Sequence, residues 1–203
     1  MTETSSRYLS LEERLNLILA RITSKELLNN EGLGNEIGFH IFDYPAERED
    51  TVRDYLATVL EPGLHKHPGK LRFRTVNLFQ IVINLLEERG LLDKALALQQ
   101  AKGNDALLKA VGPVLKEDKL ASYLVNSLEV DNLDLVLLTG IGAAYPLVRL
   151  HTLLNGLHPL MKHTPLVVFY PGRYDGVSLR LFGLNTDRSD ASAPYYRAFQ
   201  LLK

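Results

Sequence analysis

Two uninterrupted apolar runs constrain the fold of this chain more than any other feature. The first, LDLVLLTGIG, covers Leu133 to Gly142 and ends in glycines, and the second, PLVVFY, covers Pro165 to Tyr170. A strand with one face in water alternates apolar and polar residues, whereas a strand covered on both faces is apolar throughout. Both runs therefore predict buried strands of a parallel sheet, with the helical stretches around them as its covering layers.

Helical and strand patterns alternate along the rest of the chain. Ser10 and Glu13 have the spacing of a capping box ahead of apolar residues at helical period, which predicts the first helix. The predicted order is helix 11–28, strand 37–45, helix 51–60 ended by Pro62 and Gly63, strand 71–79, helix 80–90, helical segment 91–130 with breaks at Gly103 and Gly112, strand 133–142, helix 145–162 with Pro146 near its first turn, strand 165–170, strand 177–183 and a last helix 193–202.

This alternation predicts one α/β domain over residues 1–203, with a mostly parallel sheet flanked by helices. The segment 91–130 is predicted to be a helical insertion within it. The last two strands are joined by a short loop, so we expect an antiparallel hairpin at a sheet edge near the C-terminal end. The architecture is expected to be P-loop-NTPase-like, without a Walker A loop.

Composition excludes several classes of protein. The 203 residues include no cysteine, so a disulfide framework, a cysteine nucleophile and a thiolate metal site are excluded. The formal net charge of −1 argues against the whole chain being an electrostatic binder of nucleic acid. No basic segment followed by an apolar run marks a secretory signal, and no apolar run has membrane-helix length. We expect a cytoplasmic protein.

Nucleotide-binding motifs are weak. The segment FDYPAERED follows the first predicted strand, where a phosphate loop would lie, but it has no glycine and no lysine and carries three carboxylates after Ala46. The segment TGIGAAYP does follow a strand and precede a helix. Gly140 and Gly142 there either turn the chain or allow an anion to approach, with Arg149 nearby. The residues leave both interpretations open.

Signals for other catalytic chemistry are also weak. His65 and His67 flank Lys66 and lack a carboxylate nearby in sequence, which favours a solvated loop over a metal site. No serine lies in the G-x-S-x-G setting of a hydrolase elbow. We expect no catalytic residue, no metal and no cofactor.

One basic concentration lies in HKHPGKLRFRTVNLF. Its cations are Lys66, Lys70, Arg72 and Arg74. They either contact DNA phosphates or form a solvated sheet edge, and the second interpretation is favoured because four cations with one aromatic are a weak signal.

The loop predicted after the last buried run carries more side chains than a turn requires. Pro171-Gly172 suits a type II turn and Asp175-Gly176 a second turn. Tyrosine and arginine are the side chains most enriched at interface anchor points. The loop is therefore either a decorated hairpin or a docking surface. The candidate contact residues are Tyr170, Arg173, Tyr174 and Asp175.

Three stretches of the chain carry a family resemblance. LVLLTGIGAAYPLVRLHTLLNGL, PLVVFYPGRYDGVSLRLFG and the earlier FHIFDYPAERE resemble the BrxB-type small component of BREX phage-defence systems. The resemblance covers nearly the whole chain, and FYPGRYDG is its most specific part.

This resemblance implies a bacterial cytoplasmic protein encoded beside a site-specific DNA methyltransferase, an AAA-type ATPase and an alkaline-phosphatase-like PglZ protein. It implies a non-enzymatic accessory or bridging subunit that binds the PglZ-like partner, and it assigns no catalytic residues. A degenerate nucleotide- or ligand-binding domain with little or no hydrolysis is the alternative.

Overall fold

Helices and strands alternate in the computed structural model, which describes residues 9–31, 38–183 and 198–202. The helices are α1 (Leu11–Ile22), α2 (Lys25–Leu28), α3 (Glu49–Tyr55), α4 (Glu61–His65), α5 (Leu78–Glu88), α6 (Leu92–Val111), α7 (Glu117–Leu128), α8 (Ile141–Ala144) and α9 (Leu150–Met161). The strands are β1 (Phe39–Tyr44), β2 (Phe73–Asn77), β3 (Leu135–Thr139), β4 (Leu166–Tyr174), β5 (Leu179–Leu181) and β6 (Ala198–Gln200).

The described strands form one mostly parallel sheet, as the apolar runs predict. Its order is β2-β3-β4-β1-β6, and these five strands pair in parallel. The register aligns Leu137 of β3, Val167 of β4 and His40 of β1. The mostly parallel α/β class is confirmed, while the P-loop-like architecture stays a prediction.

Helices cover both faces of this sheet, which explains why residues 135–138 of β3 and 166–169 of β4 are all apolar. One face packs against α5, α7, α8 and α9, around side chains such as Val136 and Val168. The other face packs against α1 to α4, around side chains such as Leu137 and Phe169. Consecutive residues of β3 thus point into different cores, and both sets are fully buried.

The first predicted helix is divided into two. The capping box is present, with the Glu13 amide donating to Ser10 Oγ at 3.2 Å and the Ser10 amide donating to Glu13 Oε2 at 2.8 Å. The helix ends at Ile22, however, and Ser24 caps α2 by accepting a hydrogen bond from the Leu27 amide at 3.4 Å. A serine side chain that caps a new helix competes with helix continuation, so the prediction of one helix to residue 28 is wrong.

Pro62 and Gly63 do not end the second predicted helix. The helix continues to His65 through a π-helical turn, Leu56–Leu60, placed directly before Glu61. Proline has no amide proton and is tolerated in a first helical turn, where the donor has no partner to lose. The wider turn before Pro62 gives it that position, so the predicted stop is wrong.

Pro171 and Gly172, predicted as the central residues of a type II turn, lie instead in the last segment of strand β4, Pro171 to Tyr174. Its residues extend past the sheet and pair antiparallel with β5, Gly172 opposite Leu181 and Tyr174 opposite Leu179. A β-carbon on Gly172 would lie 2.2 Å from the Arg180 carbonyl oxygen, so glycine is needed there for close backbone approach and not for a type II turn. The hairpin is confirmed, and it branches from β4 in the middle of the strand order instead of at an end.

The last predicted helix is also wrong where the structure describes it. Residues 198–200 form β6, which pairs in parallel with β1, Phe39 opposite Ala198. Residues 193–197 lie outside the described part of the chain. Pairing with β6 satisfies the backbone hydrogen bonds on the side of β1 that does not face β4, and Leu201 beyond the strand is only 3% exposed. Tertiary packing therefore overrides the helical composition of this segment.

The helical segment between α5 and β3 differs in its two halves. The longest described helix, α6, breaks its helical backbone at Gly103, where φ is 79°, as predicted, and buries only Ala95 and Val111. In contrast, α7 belongs to the core through Leu120 and Leu124. The description of residues 91–130 as an insertion therefore stays a prediction.

Within the described ranges, no helix combines the length and the apolar character that a membrane crossing requires.

Candidate functional site

A cleft of about 730 Å³ lies outside the carboxyl ends of β1 and β4. Strands β2, β3 and β4 follow one another across the sheet toward β1, whereas β6 lies on the other side of β1. Open α/β sheets bind their ligands in the crevice outside the carboxyl ends of their strands. The cleft is lined by Leu9, Arg14, Asp43, Tyr44, Pro45, Ala46, Glu47, Gly172, Arg173, Tyr174, Asp175, Arg180, Phe182, Gly183 and Gln200.

Asp43 forms the floor of this cleft and joins three elements. Its Oδ1 accepts a hydrogen bond from Arg14 Nη2 of α1 at 2.7 Å, and its Oδ2 accepts one from the Tyr174 amide of β4 at 3.0 Å. The Arg14 guanidinium also lies over the Phe42 ring, 4.7 Å from its centroid. Both carboxylate oxygens are engaged, so Asp43 organises the cleft and is not a free base.

Tyr44, beside Asp43, is held as a hydrogen-bond donor. Its hydroxyl donates to Glu49 Oε2 at 2.7 Å. Burial raises the pKa of Tyr44 far above its ordinary value, and the Glu49 carboxylate adds to the rise. The phenol therefore stays protonated near neutral pH and cannot serve as a base.

Asp175 closes the hairpin between β4 and β5. Its Oδ1 accepts hydrogen bonds from the Val177 amide at 3.0 Å and the Ser178 amide at 2.7 Å. The Ser178 hydrogen bond is the main cause that lowers the pKa of Asp175 below its ordinary value. The carboxylate therefore stabilises the turn, and it leaves Val177 79% exposed at the tip.

Two arginines face each other across the hairpin. Arg173 of β4 and Arg180 of β5 are directly opposite in the antiparallel register, and both are exposed. The Arg180 guanidinium reaches Asp175 at 3.4 Å. Sequence reasoning missed Arg180, although the alternation of VSLRLFG places it on the face opposite to that of Leu179 and Leu181.

The structure separates the four candidate contact residues into two pairs. Arg173 and Asp175 are exposed, whereas Tyr170 and Tyr174 are 2% and 3% exposed. The Tyr174 hydroxyl lies 2.6 Å from the Ala198 carbonyl and 3.0 Å from the Gly176 carbonyl, so it bonds the hairpin to β6. The tyrosines therefore support the surface from beneath, and of the four candidates only Arg173 and Asp175 are exposed.

The glycines of TGIGAAYP have packing roles. Gly140 has φ 71°, and a β-carbon there would lie 2.3 Å from Asn77 Oδ1. Gly142 packs beneath Phe182, whose ring would be 3.0 Å from an added β-carbon. Arg149, at the start of α9, lines a separate space of about 30 Å³ together with His151, roughly the volume of one water molecule. The three candidates do not line the cleft.

The basic segment lies along β2, at one end of the strand order. Arg72 donates to Asp134 through Nη2 at 2.7 Å and through Nε at 3.2 Å, and this hydrogen bonding raises the pKa of Arg72. Lys66, Lys70 and Arg74 are exposed. One of the four cations is thus committed to a structural ion pair.

Both histidines of this segment make contacts at the edge of the sheet. The His65 ring packs 4.9 Å from the Phe73 ring, and His67 Nδ1 accepts a hydrogen bond from the Gly69 amide. Both contacts give the side chains a structural role at the edge of the sheet.

Comparisons with known proteins agree with one another. The family described as "BREX protein BrxB" matches residues 74–201. Two curated relatives called "BREX protein BrxB" are each 40% identical: one from Bacillus cereus (strain H3081.97), covering 95% of this chain and 97% of the relative, and one from Escherichia coli O9:H4 (strain HS), covering 95% and 92%. No solved structure matches. The resemblance seen in FYPGRYDG and its flanking runs is therefore confirmed, and this chain belongs to the BrxB family of BREX proteins.

Proposed function

We propose that this chain is a non-enzymatic accessory or bridging subunit of a BREX phage-defence complex and that it binds the PglZ-like, alkaline-phosphatase-superfamily protein of that system. Family membership supports a place in phage defence. The observation that carries the binding role is the β4–β5 hairpin, which presents Arg173, Asp175 and an apolar tip at Val177 on a rigidly tied base.

The chemistry of the cleft supports recognition over turnover. A general base needs a free acceptor near a reacting group. Asp43 is bonded through both oxygens, Asp175 caps a turn, and Tyr44 is held protonated. The remaining carboxylate of the lining, Glu47, is exposed to solvent. These groups build a shaped surface, which is what a binding subunit requires.

Co-purification tests the proposal. The chain carries an affinity tag and is co-expressed with the PglZ-like protein of the same system, and the captured partner is quantified. We expect the wild type to capture the partner and the double variant Val177→Asp with Arg173→Ala to lose this capture. The aspartate would place a charge in a contact that binding buries, and the alanine would remove an arginine anchor.

The matched control is Val59→Asp combined with Arg53→Ala. Val59 is 48% exposed in the helical layer formed by α1 to α4, away from the hairpin. Both double variants replace one valine by aspartate and one arginine by alanine, so they change charge and hydrophobicity by the same amount. If the hairpin variant captures as much partner as the control, the binding role proposed for the hairpin is wrong.

A further inference from the structure

The arginine pair on the hairpin is an electrostatic imbalance that folding alone does not require. Arg173 and Arg180 are direct cross-strand neighbours, so their β-carbons lie about 4.5–5.5 Å apart. Like charges in this position destabilise a hairpin. Both side chains line the cleft, so an anion placed there would relieve the repulsion.

Asp175 does not neutralise both arginines. Its Oδ1 is occupied by two turn amides, and its Oδ2 reaches only Arg180, at 3.4 Å, with both side chains about half exposed. Such an exposed pair contributes little to stability. Within residues 9–31, 38–183 and 198–202, Arg173 has no ion pair, so its guanidinium is available to a ligand.

The rest of the cleft indicates which anion fits. Guanidinium groups bind carboxylate and phosphate in the same forked manner. Glu47 and Asp175 line the same cleft and would repel a polyphosphate or a nucleic-acid backbone. Leu9 and Phe182, 37% and 42% exposed, add apolar contact area. This mixture of charge and apolar surface is complementary to a protein segment.

We propose that the cleft between β1 and the β4–β5 hairpin receives a segment of the partner protein and that Arg173 and Arg180 together clamp an aspartate or glutamate side chain of that segment. This inference rests on the proposed function and adds the binding chemistry, the cleft and Arg180 to it. Asp43 acts as a positioning residue, because its bonds to Arg14 and to the Tyr174 amide fix the hairpin over the cleft.

Charge reversal tests the clamp. Titration calorimetry measures binding of the purified PglZ-like protein to the wild type, to Arg173→Glu/Arg180→Glu and to the control Arg53→Glu/Arg89→Glu. The control makes the same change in net charge on exposed residues that do not line the cleft. We expect the hairpin variant to bind at least about a hundredfold more weakly than the control, because carboxylates would then oppose a carboxylate.

The outcomes separate the two proposals. Absence of binding by the wild type overturns the proposed function and the clamp with it. Wild-type binding together with equal affinities for the two variants leaves the proposed function standing and overturns the clamp. Displacement of the partner by micromolar pyrophosphate overturns the assignment to a carboxylate, because it shows a phosphate site. Circular dichroism and thermal melts of both variants check that they are folded.

Discussion

At the scale of single residues, a few polar side chains determine how the cleft is held together. Asp43 is 9% exposed and bonds α1 and the hairpin at once, while Arg14 Nε, buried beside it, has no hydrogen-bond partner among the described residues. A buried charge is tolerated when it is paired and becomes costly when its partner is removed. The Arg14–Asp43 pair is therefore a test of whether the floor of the cleft is structural.

We expect Asp43→Asn to lower the free energy of unfolding by about 2–4 kcal/mol, because it leaves the Arg14 guanidinium without a counter-charge. Asparagine retains an acceptor for the Tyr174 amide. Arg14→Met combined with Asp43→Asn removes the unpaired charge, so it should be more stable than Asp43→Asn alone. Urea unfolding measures both, and a double variant less stable than the single one would contradict the account.

His40 makes stability depend on pH. It is 6% exposed in β1, its Nδ1 is buried without a hydrogen-bond partner in the described residues, and burial, with help from Arg21, lowers its pKa to about 4. The unfolded chain binds the proton more readily, so this contribution to stability is complete above about pH 6.5 and is lost as the pH falls toward 4.

Acidification from about pH 7 to 4 should therefore cost about 1–3 kcal/mol through His40. His40→Phe, which keeps a ring near Phe199, should flatten this part of the curve. Unfolding free energies of both proteins measured across the range test the assignment, and parallel curves would show that His40 does not cause the loss.

At the scale of elements, local patterns predicted strands and helices correctly where the hydrophobic periodicity was strong. They failed where contacts between distant segments determined the secondary structure. The buried runs of β3 and β4 and the capping box of α1 were predicted. Turn chemistry in PGRY was misassigned, because Gly172 allows close approach of the Arg180 carbonyl, which no local pattern reveals. Strand β6 was missed because only the free side of β1 makes it a strand.

Gly172→Ala tests the hairpin as an element. An added β-carbon would lie 2.2 Å from the Arg180 carbonyl oxygen, so β5 must separate from β4. Gly176→Ala is the matched control, because it meets no atom within 4 Å and costs only the strain of φ 90°, about 1–2 kcal/mol. We expect protease cleavage within 175–181 to be faster in Gly172→Ala, and the reverse order would contradict the contact.

At the scale of the whole molecule, the sheet places its crevice where α/β proteins bind ligands, and hydrogen-bonded side chains such as Asp43 line it. The sequence indicated Arg173 and Asp175 as candidate contact residues, and both line the cleft. It did not locate the cleft, Asp43 or Arg180, because these meet only through the register of β1, β4 and β5. The strand–helix context indicated Gly140, Gly142 and Arg149 as candidate ligand contacts. Packing against Asn77 and Phe182 accounts for the two glycines without a ligand.

The β4–β5 hairpin is the proposed recognition surface, and hydrogen–deuterium exchange of the chain with and without the proposed PglZ-like partner tests that role most directly. We predict that saturating partner slows amide exchange over residues 171–182 and leaves 92–102 of α6 unchanged. Unaltered exchange over the hairpin in a complex that demonstrably forms, with protection elsewhere, would contradict the account.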